Sequence, residues 1–124
     1  MYKGQVVIIC GSRTWTDEDI IRETLKGLKS SGVHIVHGAA PGADTIAGRT
    51  AIEMGMVVTA VPAQWELGPQ AGPHRNRYML EHFNPKLVIA SRMDGESRGT
   101  DHMVQIARGA GVPAIVIRPR MGGK

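Results

Sequence analysis

The chain has a single cysteine, Cys10, so it cannot carry an internal disulfide framework, and that absence fits a reducing, cytoplasmic setting. Aromatic residues make up only 4% of it, too few for the series of stacking platforms that a general single-strand binder uses. No apolar run approaches the roughly 20 residues that cross a bilayer. The start, Met1-Tyr2-Lys3-Gly4-Gln5, leads into a hydrophobic run without the layout of a signal peptide, so no membrane partner is expected. Five histidines show no ligand spacing and there is one cysteine, so no metal is expected. Neither a Gly-x-Gly-x-x-Gly fingerprint nor a Gly-Lys-Ser/Thr P-loop is present, which removes the usual signals for NAD and for ATP hydrolysis. No cofactor is expected.

What the chain does have is a repeated layout in which a hydrophobic run ends in glycine and small polar residues. Residues 6–10 lead into Gly11-Ser12-Arg13. Residues 35–37 lead into Gly38-Ala39-Ala40-Pro41-Gly42-Ala43-Asp44. Residues 87–90 lead to Arg98-Gly99-Thr100-Asp101. Each is followed by a helical pattern, so each reads as strand, turn and helix N-terminus. In a parallel sheet all such turns lie on the carboxyl edge, where ligands bind. Freed backbone N–H groups and positive helix ends make that edge suited to phosphate.

The remaining pattern completes an α/β domain over residues 1–118, followed by a flexible basic tail at 119–124. Thr16-Asp17-Glu18-Asp19 offers an N-cap and an acidic first turn. Ile20, Ile21, Leu25 and Leu28 follow at helical spacing until Ser31-Gly32 stops the helix. Strands are expected at 6–10, 33–37, 57–61, 86–91 and 114–118, and helices at 43–54, 75–82 and 100–110. Residues 63–74, with Gly68-Pro69 and Gly72-Pro73, read as a long loop and candidate lid. Alternating strands and helices predict a Rossmann-like five-stranded parallel sheet of order 3-2-1-4-5 with helices on both faces. That order puts the switch point between the first and fourth strands, beside the three glycine-bearing loops.

Net charge is +4, and five of ten arginines (Arg13, Arg75, Arg77, Arg92 and Arg98) fall in or just after strand-ending loops. Arg13, Arg75 and Arg98 are the expected partners of an anion. The expected ligand contacts are Gly11, Ser12, Arg13, Gly38, Ala39, Ala40, Gly42, Ala43, Asp44, Arg75, Asn76, Arg98, Gly99 and Thr100. Trp15 and Trp65, both in expected loops, are candidates to stack on a base. Asp44 can cap its helix or accept a ribose hydroxyl.

Gly-Ser-Arg, Gly-x-Ala-x-Gly-Ala-Asp, Arg-Asn-Arg and Gly-Thr, in this order, resemble the SLOG superfamily, and within it the YspA-type group of small bacterial and phage proteins. The resemblance spans about residues 6–117. It implies a Rossmann-like fold, a homodimer whose partner subunit can complete the site, and one of three functions. The first is binding of a nucleotide or ADP-ribose-like ligand as a sensor or sponge. The second is N-glycosidic cleavage, as in the Lonely Guy phosphoribohydrolases. Their Gly-Gly-x-Gly-Thr-x-x-Glu motif is matched here by residues 97–103, with Met103 in place of the glutamate. Cleavage needs a carboxylate, for which Asp44, Glu96 and Asp101 are the candidates. The third is single-stranded DNA binding, as in DNA-processing protein A.

Overall fold

The computed structural model describes residues 5–29, 32–95 and 97–119. In chain order the elements are β1 (Val6–Gly11), α1 (Glu18–Lys29), β2 (His34–His37), α2 (Ala43–Glu53) and β3 (Val57–Ala60). They continue with a 3₁₀ turn (Trp65–Leu67), α3 (Ala71–Phe83), β4 (Leu87–Ser91), α4 (Arg98–Gly109) and β5 (Ala114–Ile117). The five strands are all parallel and lie in the order β3-β2-β1-β4-β5 that the sequence predicts.

β1 is central, and its continuous apolar run is divided between two cores. Val7 and Ile9 face α1 and α2, where Ile21 and Leu25 meet Ile46, Ala47 and Ala51. Val6, Ile8 and Cys10 face α3 and α4, packed with Met79, Met103 and Ala107. The ion pairs Arg22–Glu53 (3.2 Å) and Arg49–Glu18 (3.0 Å) tie α1 to α2 across solvent-exposed surface. Such pairs contribute at most about 1 kcal/mol, so apolar burial holds this layer together.

Capping follows the sequence at α1, where Asp17 Oδ1 accepts the Ile20 N–H at 3.2 Å. Gly32 takes positive φ after α1, its N–H donating to the Lys29 carbonyl at 3.1 Å; Ser31, like residues 120–124 of the expected tail, lies outside the described residues. The 63–74 segment departs from expectation. It contains the 3₁₀ turn, and α3 starts at Ala71 rather than at Arg75. Pro73 sits in the first helical turn, where the N–H that proline lacks would have had no intrahelical acceptor. Arg75 and Asn76 therefore lie in the second turn of α3, not at its opening. Likewise α4 begins at Arg98 rather than Thr100.

Candidate functional site

β1 and β4 are neighbours whose following helices cover opposite faces of the sheet, so the chain leaves them in diverging directions. Ser12, just beyond β1, occupies the resulting crevice. Its N–H donates to the Ser91 carbonyl (2.9 Å), and its own carbonyl accepts the Ala43 N–H at the start of α2 (3.2 Å). Its hydroxyl bonds Ser97 Oγ, immediately before α4, at 2.5 Å and accepts the Met93 N–H at 2.9 Å. One buried serine thus touches the starts of both α2 and α4. Gly11 permits this closeness, since a Cβ there would meet the Ala43 side chain and the Ser91 carbonyl.

Asp44 organises the 38–44 loop. It is buried, and its Oδ2 accepts the N–H groups of Gly38 (2.8 Å) and Ala40 (3.5 Å). Arg75 closes the same loop from α3, with Nη1 donating to the Gly38 carbonyl and to the Val61 carbonyl beyond β3 (3.3 Å). Burial raises the Asp44 carboxyl to about 6, against the opposing pull of the backbone N–H donors, Arg75 and Arg13. Burial lowers the Arg75 pKa, with Asp44 acting the other way.

The Asp44 shift has a sign that can be measured. Native Asp44 holds its proton more tightly than the unfolded chain does, so between about pH 4 and 6 the native state binds more protons. Its contribution is therefore greatest below about pH 4 and falls by about 3 kcal/mol as pH rises through 6. Asp44→Asn removes this titration. Urea unfolding is expected to show the variant gaining about 3 kcal/mol relative to wild type between pH 4 and 7.

Asn76, also buried, connects α3 to α4. Its Nδ2 donates to the Gly99 carbonyl (3.2 Å) and to His102 Nδ1 (3.1 Å), while its Oδ1 accepts from Arg75 Nε (3.0 Å). Thr100 is buried in the first turn of α4. Arg92 reaches Asp101 through two bonds, Nε to Oδ1 at 2.7 Å and Nη2 to Oδ2 at 3.0 Å, and also donates to the carbonyls of Met93 and Gly95. The hydrogen bond from Arg92 holds the exposed Asp101 carboxyl below its usual range. Asp101 thus fixes Arg92, which holds the Met93 and Gly95 carbonyls. Met103 is fully buried in the α3/α4 core. Glu96 lies outside the described residues.

The sequence-derived site is largely brought together. Gly42 abuts the Ser12 and Arg13 carbonyls, Gly38 abuts Arg75 and Asp44, and Ala39 takes a left-handed φ of 60° at the exposed bend of the loop. Arg13 and Arg98 are exposed at the rim, as is Gly99. The two tryptophans part company. Trp15 is 1% exposed, and its indole N–H donates to the Asp17 carbonyl at 2.8 Å, so its ring belongs to the core and not to a base. Trp65 is 53% exposed and already touches two groups: Arg13 lies 5.3 Å from its ring centroid, and a Cβ on Gly72 would stand 3.4 Å from Cη2. Cys10 is buried, and burial above all pushes its thiol well above the ordinary range, which leaves it inert.

Several organising residues are not among the sequence candidates. His37 Nδ1 accepts the Ala39 N–H at 3.0 Å, and its ring packs so closely on Gly48 that a Cβ there would collide with it. Ser97 and Arg92 have their roles only through contacts across the fold. A histidine directly before a glycine-bearing loop is a local signal for the first, and a place just after a strand marks Arg92; nothing local marks Ser97.

The architecture and the crevice together define a Rossmann-like α/β protein with its candidate site at the topological switch point. A family model described as "YspA, cpYpsA-related SLOG family" matches residues 5–68. The gene 61 protein of Mycobacterium phage D29 is 39% identical over 118 residues, which cover 88% of this chain and 93% of that protein. The chain belongs to the YspA-related SLOG family. Among solved structures it is similar to TM1055, a structural-genomics target, with a TM-score of 0.72 and 20% identity over 89% of this chain and 72% of that one. It is also similar to DNA processing protein A from Helicobacter pylori, a protein studied for its single-stranded DNA binding mode (TM-score 0.69, 20% identity, 95% of this chain and 67% of that one). The same protein from Streptococcus pneumoniae gives a TM-score of 0.58 at 18% identity, over 93% of this chain and 59% of that one. At these identities the structural likenesses concern the fold.

Proposed function

We propose that this chain binds a nucleotide or nucleotide-derived, ADP-ribose-like phosphate ligand at the carboxyl edge of its sheet and serves as a cytoplasmic sensor or sponge for it. The observation that carries this reading is Ser12, bonded at once to the start of α2 and to the residue before α4. Ser12 itself takes the Ala43 N–H, and the remaining first-turn N–H groups of the two helices, which lack intrahelical acceptors, lie beside this one small residue and suit an anion. The third helix start, α1, carries three acidic residues, Asp17, Glu18 and Asp19, against one each in α2 (Asp44, held by loop N–H groups) and α4 (Asp101, paired with Arg92), and is the least suited of the three. Arg13, Arg75 and Arg98 supply the balancing charge. The family resemblance adds the expectation of a homodimer, which light scattering checks.

An N-glycosidase reading has less support. Asp101 is occupied by Arg92, Met103 faces the core, and the Asp44 Oδ2 atom is engaged by two backbone N–H groups. Single-stranded DNA is favoured by the likeness to the Helicobacter protein. It carries its own signature: affinity that rises with strand length and falls steeply with salt. Mass spectrometry of the bound and free pools, after incubating the purified protein with mixed nucleotides, tests the proposal. Recovery of one enriched intact nucleotide supports it, whereas release of a free base with its ribose phosphate overturns it in favour of the enzyme.

Gly99 gives a test free of folding effects. A Cβ there meets nothing within 4 Å, although the residue sits in the first turn of α4. Gly99→Ala is expected to keep or raise stability by about 0.4–1 kcal/mol, while weakening nucleotide binding about tenfold through crowding of the anion, a contact worth about 1.4 kcal/mol. Thermal melts and calorimetry read the two effects separately.

A further inference from the structure

A second concavity lies beside the crevice and shares only Arg75 with the proposed phosphate contacts. It is a cleft of about 270 Å³ between the 61–67 segment and α3. Ala71, His74, Arg75 and Tyr78 line it from α3, at the i, i+3, i+4, i+7 spacing of one helical face. Val61, Pro62 and Leu67 give the opposite wall an apolar surface, and Gln64 adds an amide. Leu67 is 61% exposed and Tyr78 44%, so two large side chains remain in water around one hollow.

Arg75 joins the cleft to the phosphate site. It lines the cleft, while its Nη1 donates to both the Val61 carbonyl and the Gly38 carbonyl of the 38–44 loop. Arg75 thus connects the cleft to the loop that leads into α2, on the side where the phosphate is proposed. The walls are held in advance. Tyr78 is stacked on His82 (centroids 4.8 Å apart, planes 10° apart) and meets Phe83 edge-on. The 61–67 wall is fastened by Trp65 lying on Gly72. Pockets for drug-sized ligands run from about 300 to 1,000 Å³. A space just under that range suits a single ring system rather than a dinucleotide. Apolar walls with an amide and a guanidinium suit a planar heteroaromatic ring, whose faces are apolar and whose edge hydrogen-bonds.

We infer that this cleft is the ring subsite of the ligand, taking the nucleobase of a nucleotide whose phosphate sits at the Ser12 crevice. The inference rests on the nucleotide reading for the phosphate end, and Tyr78 and Leu67, not Trp65, form its ring-binding surface.

The test compares AMP, GMP, CMP and UMP with ribose 5-phosphate by titration calorimetry, on wild type, Leu67→Asn and His74→Trp. The first variant removes an exposed apolar wall, and the second fills the cleft from an exposed position. At least one nucleotide is expected to bind wild type tenfold or more tightly than ribose 5-phosphate. Both variants should erase that advantage and leave ribose 5-phosphate affinity within about twofold. Ribose 5-phosphate binding as well as every nucleotide, or an advantage that survives both variants, overturns the ring subsite and leaves the phosphate site standing. If none of the five binds wild type, the phosphate reading fails. The four nucleosides are then titrated while the Leu67 methyl and Tyr78 ring signals are followed by NMR. Shifts confined to those signals keep the cleft as a ring site, and their absence overturns it.

Discussion

Replacing Arg75 with methionine is expected to lower stability by about 2–4 kcal/mol at pH 7.5 and to weaken nucleotide binding about a hundredfold, the equivalent of about 3 kcal/mol. Two losses combine. The Gly38 and Val61 carbonyls lose a charged donor, and Asp44, buried and ionised at that pH, loses the cation that most offsets its burial. The second loss titrates. Wild-type Asp44 is largely protonated at pH 5, because burial places its carboxyl at about 6, so the Coulombic part of the deficit disappears there. Urea unfolding should show the deficit of Arg75→Met shrinking from pH 7.5 to 5. Arg75→Lys, which keeps the charge but not the fork, should recover the pH-dependent part alone. A deficit independent of pH would separate Arg75 from Asp44.

Gly42→Ala is expected to be the most damaging single-methyl change in the site. Gly42 has φ 81° and ψ −126°, a conformation that side chains avoid, and a Cβ there would run into the carbonyls of Ser12 and Arg13. The Ser12 carbonyl cannot yield freely, since it accepts the N–H groups of Trp15 and Ala43, both at 3.2 Å. Strain of about 1–3 kcal/mol plus displacement of the β1–α1 loop should lower Tm by about 10–20 °C. Gly55→Ala is the control. Gly55 has φ 78° but open space around its missing Cβ, so only the strain applies and a drop of a few degrees is expected. Equal effects at the two positions would show that the contact with the Ser12 loop contributes nothing.

The fold could be read from the sequence because its signals are local and mutually consistent. Strand-length apolar runs alternate with amphipathic helices, and a run buried on both faces, such as residues 6–10, belongs in a parallel sheet. The loops of the site were legible for the same reason, since glycine at 11, 38 and 42 marks a turn whatever surrounds it. What was not legible depends on tertiary contact. Trp15 sits in a loop by sequence, yet its ring packs into the α1/α2 core, where the Asp17 carbonyl satisfies its N–H. Gly72-Pro73 reads as a breaker, but in a first helical turn proline sacrifices no hydrogen bond and glycine leaves room for the Trp65 ring. Asp101 reads as a carboxylate beside a helix start, and only the fold brings Arg92 to occupy it. The α3 cleft has no sequence signature, because its two walls meet only after the 61–67 segment folds back on the helix.

The central claim is that the starts of α2 and α4, joined through Ser12, receive a phosphate. It is tested most directly by backbone amide NMR during titration with inorganic phosphate and then with AMP. The largest shifts are expected at the N–H groups of Arg13, of Asp44 and Thr45, and of Arg98, Gly99 and Thr100, with α1 unmoved. Saturable shifts elsewhere that leave those amides unchanged would contradict it.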